Sequence, residues 1–96
     1  MNGSAGRDRL AGGIGSDTLI GGIGNDRLDG QAGNDTIRGG AGRDILIGGR
    51  GNDRLDGEVG NDIITTGAGR DRVVLRRGRG FDRVRDFRNG LDKIDL

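Results

Sequence analysis

The chain has 96 residues and a formal net charge of +1, with 23 glycines but no histidine, cysteine, proline, tryptophan or tyrosine. This length corresponds to one domain, and the scarcity of large apolar side chains excludes an ordinary packed core. The missing cysteine excludes disulfide bridges and thiolate zinc sites, and the missing histidine removes the other common transition-metal ligand. Because glycine loses the most conformational entropy on folding, the chain needs a further stabilising interaction in order to fold.

Eight consecutive nine-residue units fill residues 3–74 and follow the pattern Gly-Gly-x-Gly-x-Asp-x-Φ-x, where Φ is aliphatic. Every sixth position is an aspartate: Asp8, Asp17, Asp26, Asp35, Asp44, Asp53, Asp62 and Asp71. The eighth positions are Leu10, Leu19, Leu28, Ile37, Leu46, Leu55, Ile64 and Val73. A unit repeated at a fixed period indicates a solenoid, in which neighbouring units stack to bury a shared core.

Each unit predicts one turn followed by one short strand. Glycines at positions one, two and four permit positive φ, so the turn can bend its carbonyl oxygens toward one point. The three residues after the aspartate, for example Thr18-Leu19-Ile20, read as a strand whose middle side chain faces inward. Two units then close one 18-residue coil of an all-β solenoid. We expect left-handed or bridging backbone conformations at the residues that precede four of the aspartates: Asn25, Asn34, Asn52 and Asn61.

This coil places the aspartates in two stacks, one on each edge. Like charges at a strand spacing of ~4.8 Å repel unless a cation lies between them. Carboxylate and carbonyl oxygens are the hard ligands that calcium prefers. Aspartate is also a common turn former, which would explain one or two units but not eight unbroken ones. The array therefore predicts calcium between the coils.

The repeat resembles the nonapeptide of the RTX (repeats-in-toxin) family of calcium-binding β-rolls. The units that begin at residues 12, 21, 39 and 48 match the motif at every glycine and at the aspartate. Departures occur at the second position in three units and at the first position in the eighth unit: Ser4, Gln31, Glu58 and Thr66. The resemblance implies a right-handed parallel β-roll over residues 1–74, followed by a degenerate ninth repeat and a cap over residues 75–96.

The resemblance also implies that each calcium lies between units n and n+2 and takes ligands from both. The implied pairs are Asp8 with Asp26, Asp26 with Asp44, Asp44 with Asp62, Asp17 with Asp35, Asp35 with Asp53, and Asp53 with Asp71. A seventh site would pair Asp62 with Asp82 of the ninth unit, whose phase is shifted by Leu75-Arg76. The implied backbone carbonyl ligands are those of Gly12, Gly13, Gly15, Gly21, Gly22, Gly24, Gly30, Gly33, Gly39, Gly40, Gly42, Gly48, Gly49, Gly51, Gly57 and Gly60.

Residues 84–96 resemble the segment that closes the roll in secreted RTX metalloproteases. A solenoid needs an end that covers its last coil. We expect four apolar side chains to form this cap: Phe87, Leu91, Ile94 and Leu96. Asn89-Gly90 is typical of a tight hairpin turn between two short strands. Relatives of this type continue further, so we expect the natural polypeptide to extend beyond residue 96.

Arginine accounts for nearly all the positive charge, and eight arginines fall within nineteen residues: Arg70, Arg72, Arg76, Arg77, Arg79, Arg83, Arg85 and Arg88. This end could attract anionic polysaccharide or lipopolysaccharide, or it could be a solvated surface that neutralises nearby aspartates. An RGG-type nucleic-acid segment is the weaker reading of residues 77–81. Ile45, Ile47 and Ile63 fall on one outer face, which indicates either contact with an adjacent domain of the same polypeptide or simple β-propensity.

No motif supports catalysis, because there is no His-Glu-x-x-His, no cysteine nucleophile, and no base for Ser4 or Ser16. We therefore expect a non-enzymatic, calcium-dependent folding module of a secreted protein, disordered without calcium. The alternative is the C-terminal module of a larger secreted hydrolase or polysaccharide-modifying enzyme. An ice-binding face is disfavoured, because it needs a flat outer ladder of threonine or asparagine. The outer ladder here would instead run Thr18, Thr36, Arg54, Arg72. No apolar run indicates a signal peptide or membrane span. The resemblance to RTX proteins implies export by a type I system, with a signal that we expect beyond this sequence.

Overall fold

The computed structural model describes residue 3, residues 5–74, and two short strands at 83–84 and 93–95. The strands are β1 (Arg9–Ala11), β2 (Thr18–Ile20), β3 (Arg27–Asp29), β4 (Thr36–Arg38), β5 (Ile45–Ile47), β6 (Arg54–Asp56), β7 (Ile63–Thr65), β8 (Arg72–Val74), β9 (Arg83–Val84) and β10 (Lys93–Asp95). The first eight coincide with positions seven to nine of the eight units, as predicted. Within these described residues there is no helix, and so none that could cross a membrane.

The strands form two parallel sheets that divide the units by alternation. Odd-numbered strands make one sheet in the order β1-β3-β5-β7-β9, and even-numbered strands make the other in the order β2-β4-β6-β8-β10. Leu10 pairs with Leu28, and Leu28 with Leu46, so partners in this register are two units apart. The chain is therefore a parallel β-roll with two units per coil, which confirms the predicted fold.

The core is a column of one aliphatic side chain per unit, enclosed between the two sheets. Seven of them are completely buried, with 0% exposure: Leu19, Leu28, Ile37, Leu46, Leu55, Ile64 and Val73. Leu10, in the first coil, is only partly buried and packs against this column. The predicted core is confirmed, and it is thin enough that each coil contributes only two large apolar groups.

The turn glycines differ in their backbone conformations. Positions two and four adopt positive φ, as at Gly40 (85°) and Gly42 (111°). Position one does not, since neither Gly39 nor its equivalents have positive φ. The expectation of positive φ at position one was therefore wrong. Glycine is needed at position one because a Cβ there would lie too close to oxygen atoms of the candidate calcium sites described below.

The two C-terminal strands continue the roll. Val84 pairs with Ile64 in one sheet, and Ile94 pairs with Val73 in the other. The two strands that flank Asn89-Gly90 thus lie in different sheets and do not form the predicted hairpin with each other. Residues 87–95 keep the glycine, aspartate and aliphatic spacing of the last six motif positions, and they read in retrospect as a degenerate tenth unit.

The rest of the tail lies outside the described residues. This applies to Phe87, Leu91 and Leu96, to the Asn89-Gly90 turn itself, and to the side chain of Ile94. The cap therefore stays a prediction.

Candidate calcium sites

The sixth-position aspartates form one ladder on each edge of the roll, and each step of the ladder is a hydrogen bond. The backbone N–H of Asp26 donates to Oδ1 of Asp44 (2.9 Å), and the N–H of Asp44 donates to Oδ1 of Asp62 (2.8 Å). The same bond joins Asp8 to Asp26, Asp17 to Asp35, Asp35 to Asp53, and Asp53 to Asp71, each at 2.8 Å. These six contacts connect the same pairs that the family resemblance implies as calcium ligands.

The second carboxylate oxygen in each ladder is left without a hydrogen bond. Asp44 is 1% exposed and Asp53 is 2% exposed. Within the described part of the chain, the Oδ2 atom has no hydrogen-bond partner in five of these residues: Asp17, Asp26, Asp35, Asp44 and Asp53. A buried carboxylate oxygen without a partner is costly, and the usual compensation is an opposite charge or a metal ion.

Each unpartnered oxygen faces a backbone carbonyl across the position-one glycine. A Cβ placed on Gly39 would lie 2.7 Å from Oδ2 of Asp44 and 3.0 Å from the carbonyl oxygen of Gly57. On the other edge, a Cβ on Gly30 would lie 2.6 Å from Oδ2 of Asp35 and 2.9 Å from the carbonyl oxygen of Gly48. The same convergence occurs at Gly3, Gly12, Gly21 and Gly48.

This arrangement fits calcium. Carboxylate and carbonyl oxygens from units n and n+2 approach one space that no side chain fills, and such hard donors are what calcium requires. Among the described residues there is no cluster of three or more acidic, histidine or cysteine side chains. A site here would therefore combine two carboxylates with main-chain oxygens.

The series changes at its C-terminal end. Position one of the eighth unit is Thr66, whose side chain is completely buried, so it carries a Cβ where the other units leave space. Next to Gly57, Oδ2 of Asp62 is in place, but the carbonyl two units further on lies outside the described residues. Asp82, the second ligand predicted for a seventh site, also lies outside them.

Burial shifts the ionisation of the central carboxylates. Desolvation raises the pKa of Asp44 to about 7, and the negative charge of Asp26 adds to this effect, while a hydrogen bond from the Asp26 backbone opposes it. Desolvation likewise raises the pKa of Asp53 to about 7, with contributions from the charges of Asp71 and Asp35. The pKa of Asp35 is raised for the same primary reason. Without a cation, the folded roll therefore disfavours the charged form of its own central ligands.

Two aspartates that the motif does not mark support the turns. Gln31 and Glu58 replace glycine at position two and keep its left-handed conformation, with φ of 66° and 63°. Oδ1 of Asp29 accepts the amide of Gln31 (3.1 Å), and Oδ1 of Asp56 accepts that of Glu58 (3.0 Å). This is the Asx turn, which holds a local bend without glycine. The sequence signal was the aspartate that stands two residues before Gln31 and two residues before Glu58.

The asparagines at position five differ from one of the two predicted conformations. No asparagine among the described residues has positive φ, so the left-handed conformation was wrong, while the bridging conformation stays a prediction. Instead, Oδ1 of Asn25 accepts the amide of Arg43 (2.9 Å), two units along. Oδ1 of Asn34 accepts the amide of Asn52 (2.8 Å), and Oδ1 of Asn52 accepts that of Arg70 (2.9 Å). These side chains join adjacent coils beside the aspartate ladder.

The outer surface agrees in part with the sequence. Ile45 (37% exposed) and Ile63 (36%) are neighbours in one sheet, while Ile47 is half-buried. In the arginine-rich end, only Arg70 and Arg72 have described side chains, and both are exposed. Arg83 is described only as part of β9, and the other five arginines lie outside the described residues.

Comparison with known proteins agrees with this geometry. A search of curated proteins found no match to the chain. The family model of the RTX calcium-binding nonapeptide repeat (4 copies) matches residues 2–37, 38–73 and 51–84. These segments contain every aspartate of both ladders. The chain therefore belongs to the RTX calcium-binding nonapeptide repeat family.

Proposed function

We propose that the chain binds calcium between its coils and that this binding drives its folding, as a module of a secreted RTX protein. The observation that carries the proposal is the repeated convergence of a buried, unpartnered aspartate oxygen and a main-chain carbonyl over a glycine without positive φ. Five such convergences occur, at Gly12, Gly21, Gly30, Gly39 and Gly48. At Gly3, a carboxylate oxygen of the half-buried Asp8 approaches the carbonyl oxygen of Gly21 in the same way, and the six positions together support six ions.

The energetic argument starts from the calcium-free roll. In each ladder, nearly fully buried carboxylates stack on other carboxylates, so like charges lie next to each other. The apolar core that must offset this repulsion has only one aliphatic group per unit. A bound divalent cation would supply the opposite charge that each stack lacks. Since the ligands of one ion come from two different coils, the site does not exist in the unfolded chain. The binding free energy therefore becomes folding free energy.

Circular dichroism during a calcium titration tests this proposal. We expect a coil spectrum in chelator and a cooperative change to strand when calcium is added. Magnesium should substitute poorly because it requires a tighter octahedron. Equilibrium dialysis would give the number of ions, for which we expect six. A strand-rich spectrum in excess chelator would contradict calcium-dependent folding.

We further propose that the module itself is not catalytic, because ions enclosed between coils leave no open position for a substrate. The alternative, a C-terminal module of a larger secreted hydrolase or polysaccharide-modifying enzyme, is compatible with the same fold. A catalytic motif in the upstream reading frame would favour that alternative. Secretion is supported because the repeat family is typical of secreted proteins, and unfolding in chelator would agree with export before folding.

A further inference from the structure

An open groove runs along one edge of the roll, outside the aspartate ladder of the odd-numbered units. Its volume is about 320 Å³, and its outer lining is Arg7, Arg9, Arg27, Arg43, Asn25 and Ile45. Asp8 and Asp26 lie at its base. Positions five and seven flank the inward-facing aspartate, so their side chains form the two walls of the groove.

The stacking of the coils creates this lining. Arg9 lies beside Arg27 across β1 and β3 in register, and Arg27 lies beside Ile45. On the other wall, the amide of Arg43 is bonded to Oδ1 of Asn25 (2.9 Å), which fixes that asparagine and leaves its amino group able to donate. Adjacent rungs are ~4.8 Å apart, the spacing of neighbouring strands. The groove therefore presents a row of donors along the roll.

The positive charge of the groove is not compensated by its surroundings. All four arginines are exposed, and none forms an ion pair with another described residue. The opposite charges nearby are Asp8 and Asp26, which are the predicted calcium ligands. In this respect the inference rests on the proposed function, because bound calcium would neutralise these two carboxylates and leave the guanidinium groups dominant.

We propose that this groove binds a linear polysaccharide that carries carboxylate groups. Guanidinium groups bind carboxylates through paired hydrogen bonds, and an asparagine amino group can donate to a sugar hydroxyl. A single-stranded nucleic acid is less well matched, because such ligands are held by bases stacked on aromatic rings. The chain has only two aromatic residues, Phe81 and Phe87, and neither is among the described residues. Arg70 and Arg72, the two arginines of the C-terminal end whose side chains the structure describes, do not line this groove.

The test compares two double variants that remove the same charge. Arg27→Gln/Arg43→Gln changes the groove, while Arg38→Gln/Arg50→Gln changes two exposed arginines that do not line it. The probe is a fluorescently labelled oligogalacturonate at a concentration far below that of free calcium, and binding is followed by fluorescence anisotropy with the full chain in calcium. Circular dichroism of each variant establishes that it is folded.

We expect the groove variant to bind about tenfold more weakly and the control variant less than about twofold more weakly. The same oligosaccharide with its carboxyl groups reduced to alcohols should not bind. Equal losses in both variants would overturn the proposal, and so would unchanged binding by the groove variant. Tighter binding of a single-stranded DNA of equal charge would also overturn it, in favour of a nucleic-acid ligand.

The outcome of the binding comparison can be distinguished from the outcome of the calcium titration. If circular dichroism showed a folded roll in chelator, the proposed calcium-dependent folding would fail, but the comparison of the two variants would still test the groove. If folding required calcium and both variants bound equally, only the groove would be refuted.

Discussion

Oδ1 of Asp29 accepts a 3.1 Å hydrogen bond from the backbone amide of Gln31, a residue held at a φ of 66°. The same relationship joins Asp56 to Glu58 in the opposite sheet. A side chain in the left-handed region costs about 1–2 kcal/mol, and a local hydrogen bond recovers about 1 kcal/mol. The repeat thus has a second way to make its turn, which uses an aspartate in place of a glycine.

A transplant of this turn tests the compensation. Gly13 has positive φ, but a Cβ placed there would meet no atom closer than Oε1 of Gln31 at 4.0 Å, so only the backbone opposes a side chain. We expect Gly13→Gln to destabilise the calcium-bound roll by about 1 kcal/mol, and Ala11→Asp in the same chain to recover part of the loss.

Urea unfolding in excess calcium of the four members of this cycle measures the coupling. Ala11→Asp alone serves as the control and should have little effect, since residue 13 is then glycine. Strictly additive effects of the two substitutions would contradict the role given to Asp29 and Asp56.

Replacing a central ladder aspartate should have opposite effects with and without calcium. Asp44 lies between two carboxylates of its ladder, while Asp8 begins the ladder and is only half-buried. Asp44→Asn keeps the shape and removes a buried charge. We expect it to raise the calcium midpoint more than Asp8→Asn does, and to make the calcium-free roll easier to form.

Both effects can be read from circular dichroism titrations at pH 8. Asp29→Asn is the matched control, because Asp29 lies outside both ladders and asparagine keeps the oxygen that accepts the Gln31 amide. Its calcium midpoint should change much less than that of Asp44→Asn. Equal midpoints for Asp44→Asn and Asp8→Asn would show that the two aspartates do not differ in the number of ions they bind.

Acid should favour the calcium-free roll and weaken its binding of calcium. The pKa values of Asp44 and Asp53 are about 7 in the fold, above the value of 3.8 for a free side chain, because both are buried. The folded state then binds more protons than the unfolded chain between about pH 4 and 7. Its stability is greatest below this range and is lost as the pH rises through 7.

In calcium-free buffer we therefore expect strand content to increase from pH 8 to pH 5. Over the same interval the calcium midpoint should rise, because protons compete with calcium for the carboxylates. The Asp44→Asn/Asp53→Asn variant should reduce both trends. A calcium midpoint that did not depend on pH would contradict the raised pKa values.

Filling the space at position one should remove a single calcium site. A Cβ on Gly39 would lie 2.7 Å from Oδ2 of Asp44, although the backbone there has no positive φ and would accept alanine. We expect Gly39→Ala to lower the stoichiometry in equilibrium dialysis by one ion. Ala41→Gly, in the same turn, should cost about 0.5–1 kcal/mol of stability while the stoichiometry stays constant.

Removal of residues 86–96 should expose the end of one sheet. The truncation deletes β10 and leaves β8 with an unpaired edge, which other chains can use. We expect the truncated chain to need more calcium to fold, or to aggregate when it does, as measured by circular dichroism and light scattering. A monomer with the full-length calcium midpoint would show that β10 contributes nothing.

Much of this fold could be predicted because every unit repeats the same three constraints. Because each unit predicts one turn and one strand, two units close a coil. This predicts the pairing of alternate units, such as Leu19 with Ile37, together with the buried column and the two aspartate ladders. The reason for glycine at position one could not be predicted from the repeat pattern. Gly39 looks like Gly40 in the sequence, but its need for space is set by Gly57, a contact that depends on how the coils stack.

The hairpin predicted around Asn89-Gly90 was wrong for a related reason. The segment before Ile94 lacks the glycines of positions one and two, so Asn89-Gly90 looked like the stronger signal. The pairing of Ile94 with Val73 shows that the aspartate and aliphatic spacing was the better guide.

The pairing of every unit with the next but one gives the chain a parity. If one nonapeptide were lost, all later units would move to the opposite sheet, so Arg27 and Thr36 would no longer stand in the ladders they occupy now. Loss of two units would shorten the roll by one coil, and every remaining unit would stay in the sheet that it occupies now. The two outer faces can therefore diverge as separate surfaces, and only changes in length by whole coils preserve both.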